Sequence, residues 1–326
     1  MSVAKFHPRG TDMTRPTLKT VTRLQGNNRA LKAGEICPAD FDLAFEEVPV
    51  LVKGFRRMVR ELAYDVSEMA LTTYITARAH GVKFTALPIF LVRDFHHANM
   101  VWNTRTPLSG LKDLEGKRVG VNRGYTVTTG VWARTILQQE HDVDLTQVHW
   151  APSGDEHVAS FVNPANVQNL GPDEDLTDAL VSGQLAGVVG TKLDHADIGP
   201  MIPDAFNAAR TALRERGLYP INHLVVVKDE VLAANPGLAT QLFESFAASK
   251  ALYVNDLKAG RISDLTAADR VHQAALEVMD DPLPYGIAPN QHVLEMLMDQ
   301  VVGQGVIAQP MAIADLFAPE TRELVG

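Results

Sequence analysis

The chain has few of the residues that mark several common classes of functional site. Cys37 is the only cysteine among 326 residues, which excludes an internal disulfide and a cysteine-rich metal site. No stretch approaches the ~18 uninterrupted apolar residues of a membrane span, and residues 1–12 lack the apolar core of a secretory signal. Walker, dinucleotide-binding and Gly-x-Ser-x-Gly motifs are also absent. We therefore expect a cytoplasmic protein with no membrane partner and no cofactor.

Positive charge is also in short supply. The formal net charge is −9, with 46% hydrophobic and 21% charged residues, which is the balance of an ordinary globular protein and disfavours a nucleic-acid surface. An anionic ligand would need a local pocket of arginine and histidine side chains. Histidines at 141, 149, 157 and 195 lack ligand-like spacing, so no metal site is predicted. The acidic surface and helical tail would permit self-association.

What the chain does contain is a regular alternation of strand and helix patterns. A first series predicts strands at 17–23, 41–45, 64–67, 84–92 and 100–103, and helices at 28–33, 51–63 and 68–80. A second series predicts strands at 117–121, 148–151 and 186–189, helices at 129–140 and 176–182, and brief strand character at 158–162. A return strand at 218–227 and helices at 236–253, 267–279 and 290–304 follow. Pro88 within the fourth strand favours an edge position.

This order predicts an α/β fold with two lobes and a helical C-terminal tail. Residues 15–105 and 222–326 would form lobe I, and residues 106–221 would form lobe II. A small ligand would bind in the cleft between the lobes, at the carboxyl ends of the strands where helices begin. Hinge closure around the ligand is the expected motion.

A hydroxyl-rich turn follows the strand at 117–121 and opens the next helix. Backbone N–H groups in the first turn of a helix are unpaired and favour a carboxylate or phosphate, and an arginine adds a two-pronged contact. The alternative is a capped helix with a solvent-facing arginine. The candidate carboxylate-binding residues of this turn are Arg123, Tyr125, Thr126, Thr128 and Thr129.

Four stretches of the chain carry a family resemblance. They are residues 113–121, Val131-Trp132-Ala133-Arg134, residues 219–227 with Pro-Ile-Asn-His at 220–223, and Pro-Tyr-Gly-Ile at 284–287 followed by Asn290. With them the chain resembles the 4,5-dihydroxyphthalate decarboxylases, which are similar to type II periplasmic binding proteins. The resemblance covers most of the chain from about residue 17. It departs at residues 95–97, where relatives tend to show Phe-Arg-His and this chain has Phe-His-His.

The resemblance implies a carbon–carbon lyase of aromatic catabolism, in the degradation of phthalates. The expected reaction is cofactor-independent decarboxylation of 4,5-dihydroxyphthalate, or a close hydroxylated aromatic acid, to protocatechuate and CO₂. Protonation of the ring carbon that bears the carboxylate would precede loss of CO₂. His97 and His223 are the candidate proton carriers, since histidine exchanges protons near neutral pH. A buried structural histidine is the alternative at each position.

Four further residues complete the predicted site. Arg93 and His96 would add positive charge to the cleft rim, although Arg93 could instead pair with a surface carboxylate. Ser67 and Glu68 are predicted to open the helix 68–80, where Ser67 would bind a ligand oxygen and Glu68 would orient a hydroxyl or a histidine. The alternative is an ordinary helix cap with a first-turn acid.

Two other functions fit the same lobed pattern. A non-catalytic solute-binding protein for an aromatic or other small carboxylate is the main alternative, and the missing export signal counts against it. A ligand sensor is the second, and no helix-turn-helix segment precedes the first lobe to support it.

Overall fold

Ten strands and ten α-helices make up residues 15–326, the part of the chain that a computed structural model describes. Residues 1–12, for which the sequence predicts no secretory signal, lie outside this range. The strands are β1 Thr17–Val21, β2 Asp42–Phe45, β3 Val66–Ala70, β4 Phe84–Arg93, β5 Met100–Asn103, β6 Arg118–Val121, β7 His149–Pro152, β8 Gly187–Val189, β9 Ile198–Pro200 and β10 Ile221–Lys228. The helices are α1 Arg29–Lys32, α2 Leu51–Glu61, α3 Leu71–Ala79, α4 Thr128–His141, α5 Leu176–Val181, α6 Ala205–Arg216, α7 Asp229–Ala234, α8 Leu238–Lys258, α9 Ala267–Leu276 and α10 Gln291–Gly303.

The strands form two separate mixed sheets. The first has the order β2-β1-β3-β10-β4 and the second the order β7-β6-β8-β5-β9. In the first sheet β1 is parallel to β2 and β3, and β10 runs antiparallel to β3 and β4. In the second sheet β6 is parallel to β7 and β8, and β5 runs antiparallel to β8 and β9. The predicted α/β class is confirmed.

The chain passes between the two sheets twice. It leaves the first sheet after β4 and enters the second with β5, and it returns through α6 to β10. Met100–Asn103, which the sequence-based division places in lobe I, pairs in the second sheet. The first crossing therefore lies between Arg93 and Met100, and the division into lobes at 105 and 221 stays a prediction.

Most predicted elements are present, with shifts of a few residues at their ends. Pro88 lies in β4, which is an edge strand of the first sheet as expected. Residues 158–162 are irregular rather than strand-like. Neither β9 nor α6 is predicted from the sequence, although the alanine, leucine and arginine content of α6 favours a helix.

The family-like motifs meet one another in the packed core around α4. The indole N–H of Trp132 donates to the carbonyl of Ile221 at 3.1 Å, which joins α4 to the start of β10. Arg134 is fully buried, with its guanidinium 3.9 Å from the ring centre of Tyr125 and its Nε 2.8 Å from Oε1 of Gln304. These side chains therefore join α4 to the start of β10 and to the residue that follows α10.

Within residues 15–326, no helix combines the length and the apolar character that crossing a membrane requires.

Candidate active site

His223 and Glu68 form a hydrogen-bonded pair on the first sheet. His223 lies opposite Ala70 in the antiparallel pairing of β10 with β3, so Glu68 is its diagonal neighbour on the same face. Nδ1 of His223 is 2.6 Å from Oε1 of Glu68, although the residues are 155 positions apart in the chain. Glu68 is fully buried, whereas the side chain of His223 is 18% exposed. The histidine is thus the member of the pair that a ligand can reach.

The carboxylate of Glu68 fixes the proton on this ring. Its second oxygen accepts the backbone N–H of Arg23 at 2.8 Å, so both oxygens are engaged. Because an ionised carboxylate only accepts hydrogen bonds, Nδ1 of His223 carries the hydrogen and Nε2 is left for proton exchange. This is the arrangement in which a carboxylate orients a general acid or base.

Ser67 and Glu68 do not open a helix, so this part of the prediction is wrong. Both belong to β3, opposite Val226 and Val225, and α3 begins only at Leu71. The hydroxyl of Ser67 donates to the carbonyl of Glu68 at 2.7 Å and is fully buried. The strand continues past Ser67 because residues 66–70 pair with β10. Since β10 lies far along the chain, local sequence patterns do not predict this pairing.

Phe55 of α2 lies between two histidines. Its ring makes edge contacts with His223, at 5.1 Å between ring centres, and with His157, at 6.3 Å. His157 is buried and its Nδ1 has no hydrogen-bond partner. Burial lowers the pKa of His157 to about 4, and the charges of Arg56, Arg123 and Arg60 act in the same direction. His157 is therefore neutral at physiological pH.

Acidification should destabilise the fold through two buried histidines. Burial lowers the pKa of both His157 and His272 to about 4, whereas an unfolded histidine titrates at about 6.5. Between these values the unfolded chain binds more protons, so stability falls as the pH falls. For each histidine we expect the free energy of unfolding to fall by about 2 kcal/mol between about pH 7 and about pH 5. Urea unfolding at the two pH values measures this change. His157→Gln should remove its share, and an unchanged pH dependence in that variant would contradict the assignment.

The turn that precedes α4 holds a carboxylate of the protein itself. The backbone N–H of Thr126 lies 3.2 Å from Oε1 of Glu156, and the hydroxyl of Thr126 donates to Oε2. The same N–H also lies 3.4 Å from Oε2. Burial raises the pKa of Glu156, against the effect of these hydrogen bonds and of the Arg134 charge. The donors predicted for a ligand are thus engaged by Glu156.

The other side chains of this turn face in different directions. Thr128 is buried and its hydroxyl accepts the backbone N–H of Thr72, at the start of α3, at 3.1 Å. The hydroxyl of Tyr125 donates to the carbonyl of Gln304. Thr129 is half-buried beside Gly190. The turn therefore bonds to the start of α3 and to the residue that follows α10.

Arg123 is the exposed residue of the turn and has a strained backbone. Its φ angle is +67°, in the left-handed region that non-glycine residues rarely adopt. Its backbone N–H donates to Oγ of Ser153 at 2.9 Å, and its carbonyl accepts the N–H of Gly154. Its charge acts on His157. A functional constraint is a common reason for such strain to persist.

Two arginines of α2 hold the segment that carries Glu156 and His157. Arg60 donates to the carbonyls of Glu156 and His157, at 2.9 and 3.1 Å, and Arg56 donates to the carbonyl of Asp155 at 3.2 Å. Because α2 packs on the first sheet and this segment follows β7 of the second, these bonds join elements that belong to the two sheets.

His96 and His97 lie on the first crossing between the sheets. His96 is fully buried between Asn222 and Asn99, with ring nitrogens 2.8 and 3.1 Å from their amides. Nε2 of His97 bonds to Glu140 at 2.9 Å, and Glu140 lies near the end of α4, about 18 Å along the helix from Thr128. His97 therefore lies toward the far end of α4, whereas His223 pairs with Ala70, two residues before the Thr72 that bonds to Thr128.

Arg93 is the last residue of β4, and its side chain is buried. Its guanidinium donates to the carbonyl of Tyr219 at 2.7 Å and to Oδ1 of Asn290. Burial lowers its pKa to about 10. Arg93 is 3% exposed, so it does not contribute charge to an open cleft rim.

Five residues that line or shape this site were not predicted from the sequence. Two of them are arginines one helical turn apart on the amphipathic helix α2, and this spacing was a signal that could have found them. The other three lie on a loop or in the core, where the sequence signal is weak. The five residues are Phe55, Arg56, Arg60, Glu156 and His157. Among residues 15–326, no group of three or more histidine, cysteine or acidic side chains is placed to hold a metal ion.

Comparison with known structures identifies the fold. The structure superposes on the periplasmic aliphatic sulphonate binding protein SsuA of Escherichia coli with a TM-score of 0.54 and 11% sequence identity, covering 95% of this chain and 100% of SsuA. The chain therefore has the fold of the periplasmic binding proteins, as predicted.

Comparison with characterised sequences shows which enzymes this chain is similar to. The chain is 27% identical over 286 residues to 4,5-dihydroxyphthalate decarboxylase of Comamonas testosteroni, covering 82% of this chain and 86% of that protein. It is 32% identical over 146 residues to the enzyme of the same name from Pseudomonas putida, covering 42% of this chain and 56% of that protein. No protein-family model matches. The chain is thus a sequence relative of the 4,5-dihydroxyphthalate decarboxylases, and the resemblance seen in its motifs is confirmed.

Proposed function

We propose that this protein is a decarboxylase that converts 4,5-dihydroxyphthalate, or a close hydroxylated aromatic acid, to protocatechuate and CO₂ without a cofactor. The observation that carries the proposal is the pairing of the partly exposed His223 with the buried Glu68. The names of the two sequence relatives support the choice of reaction and substrate.

The reaction needs one proton and no electrons from outside the substrate. A ring hydroxyl para to the departing carboxylate pushes electron density toward the carbon that bears it. That carbon takes a proton from Nε2 of the His223 imidazolium, whose charge Glu68 stabilises. The carbon–carbon bond then breaks, its electron pair restores the aromatic ring, and CO₂ leaves. Solvent reprotonates His223, so each turnover consumes one proton.

The ligand must be held by positive charge in a chain that is acidic overall. Arg123 is exposed at the carboxyl end of β6, and Arg56 and Arg60 lie across the cleft from it. Their combined charge favours an anion beside Phe55, whose ring supplies an apolar surface for an aromatic ligand. The second carboxylate of the substrate would bind on the Arg123 side, which leaves the reacting carbon toward His223.

The direct test is to incubate the purified protein with 4,5-dihydroxyphthalate and to follow CO₂ and protocatechuate together. We expect equal amounts of both, and no CO₂ from phthalate, which lacks the ring hydroxyls that activate the carbon. Tight binding of 4,5-dihydroxyphthalate with no CO₂ release would contradict the proposal and favour a solute-binding protein. Neither binding nor turnover would contradict the substrate class.

Replacing Arg123 should separate ligand binding from fold stability. We expect Arg123→Ala to raise KM by about tenfold, because a charge-assisted contact with the substrate carboxylate is lost. Arg123→Gly should lose the same contact but be about 1 kcal/mol more stable than Arg123→Ala, since glycine adopts the left-handed backbone without strain. Steady-state kinetics and urea unfolding measure the two effects. An unchanged KM in both variants would remove Arg123 from the binding site.

A further inference from the structure

The carboxylate of Glu156 occupies a compact set of neutral donors at the start of α4. We call this set the α4 donor site, and it consists of the backbone N–H and the hydroxyl of Thr126, the residue before the N-cap of α4. Backbone N–H and hydroxyl donors that lie together in a turn bind carboxylates, including those of ligands. In this structure the bound carboxylate belongs to the protein.

The neighbourhood of the α4 donor site is shaped for a carboxylate that approaches closely. A Cβ atom on Gly124 would lie 2.6 Å from Oε2 of Glu156, so only glycine leaves room for the oxygen there. Nη1 of the buried Arg134 has no hydrogen-bond partner, and Nη2 of the same side chain donates to the carbonyl of Tyr125, next to Thr126, at 2.8 Å. Arg134 is close enough for its charge to act on Glu156. The region therefore has more capacity to bind negative charge than Glu156 alone uses.

The hydrogen bonds that hold the segment of Glu156 to α2 do not involve the Glu156 side chain. The carbonyls of residues 155–157 are held by Arg56 and Arg60 of α2, and these bonds involve only the backbone of the segment. Rotation about the side-chain torsions of Glu156 would carry its carboxylate away from Thr126 while the backbone stays in place. The exchange of one carboxylate for another at the α4 donor site thus needs only a change of rotamer.

We propose that Glu156 is an internal competitor for the ligand: it occupies the α4 donor site when the cleft is empty and rotates out when the non-reacting carboxylate of an aromatic dicarboxylate binds the same donors. This inference rests on the proposed function for the class of ligand. Glu156 sets the affinity for carboxylate ligands, because every binding event must displace it, and its negative charge disfavours anions that do not replace it.

Binding of phthalate to variants of this segment tests the proposal. Phthalate carries the two adjacent carboxylates but no ring hydroxyls, so binding is measured without turnover by isothermal titration calorimetry at fixed ionic strength. We expect Glu156→Ala to bind phthalate about tenfold more tightly than the parent protein. The matched control is Asp155→Ala, which removes the same charge from the adjacent, exposed position. It should change the affinity by less than about threefold, as expected for a screened surface charge.

A second measurement covers the case in which the alanine variant folds poorly. Glu156→Gln keeps the size of the side chain but removes its charge, and we expect it to bind phthalate more tightly than the parent by a smaller factor. Melting temperature should fall in Glu156→Ala and rise more on addition of phthalate than it does in the parent. Unchanged or weaker phthalate binding in both variants, or a gain equal to that of Asp155→Ala, would overturn the proposal.

The outcomes distinguish this inference from the reaction itself. Tighter phthalate binding in Glu156→Ala without decarboxylation of 4,5-dihydroxyphthalate by the parent would sustain the competitor role and reject the proposed reaction. Decarboxylation by the parent without any gain in phthalate affinity would sustain the reaction and reject the competitor role.

Discussion

His223→Ala is expected to lower kcat for CO₂ release by about a thousandfold while KM stays within about threefold of the parent value. The physical reason is that Nε2 of His223 is the proton donor to the ring carbon, whereas the substrate is held by other groups. Steady-state kinetics with 4,5-dihydroxyphthalate measures both constants. Because the substitution leaves a space between Phe55 and Glu68, added imidazole should restore part of the lost turnover.

Two further variants make this expectation specific to His223. Glu68→Gln should lower kcat by about tenfold to a hundredfold, because the ring loses the carboxylate that orients it and stabilises its charged form, and added imidazole should not restore the loss. His97→Ala should instead reduce stability, since it removes the bond to Glu140 at the far end of α4. Parent-like kcat in His223→Ala would exclude this histidine as the proton donor, and a thousandfold loss in His97→Ala would transfer the role.

Arg93→Ala should reduce the free energy of unfolding by about 3 kcal/mol without changing the affinity for phthalate. The substitution removes a buried guanidinium and leaves the carbonyl of Tyr219 and the amide oxygen of Asn290 without their donor. Urea unfolding measures the stability, and calorimetric titration with phthalate measures the affinity.

Arg123→Ala is the natural comparison, because it should show the opposite pattern. Arg123 is exposed and makes its hydrogen bonds through its backbone, so its loss should weaken binding and leave stability nearly unchanged. An Arg93→Ala variant that unfolds like the parent but binds phthalate more weakly would contradict the buried role. It would indicate that Arg93 acts at the cleft rim, as predicted from the sequence.

The candidate site was predictable in part, and the misses have a common cause. The turn after β6 was recognised because a short apolar strand, a polar turn and a helical repeat are adjacent in the chain. His223 was selected because it lies within an apolar strand. The partner of each group was not predictable: Glu68 is 155 positions away from His223, and Glu156 is 30 positions away from Thr126. Such pairings depend on which strands become neighbours.

The error at Ser67 and Glu68 shows the same limit at an element boundary. A serine followed by a glutamate before an apolar run is a good local signal for the start of a helix. Pairing of β3 with β10 outweighs that signal, since the sheet satisfies the backbone groups of both residues and buries them.

The amino-acid sequence by itself determined the alternation of strands and helices, the edge position of the strand with Pro88, the helical tail and the histidine of the first sheet. These features follow from periodicity and residue type over a few neighbouring positions. Such local patterns can be recognised in the sequence without knowledge of the fold. Only the tertiary structure decided that Glu68 orients His223, that Arg93 is buried, and that Glu156 fills the donors at the start of α4. Those outcomes depend on packing between segments far apart in the chain, where burial and competition for hydrogen-bond partners select among several locally equivalent choices.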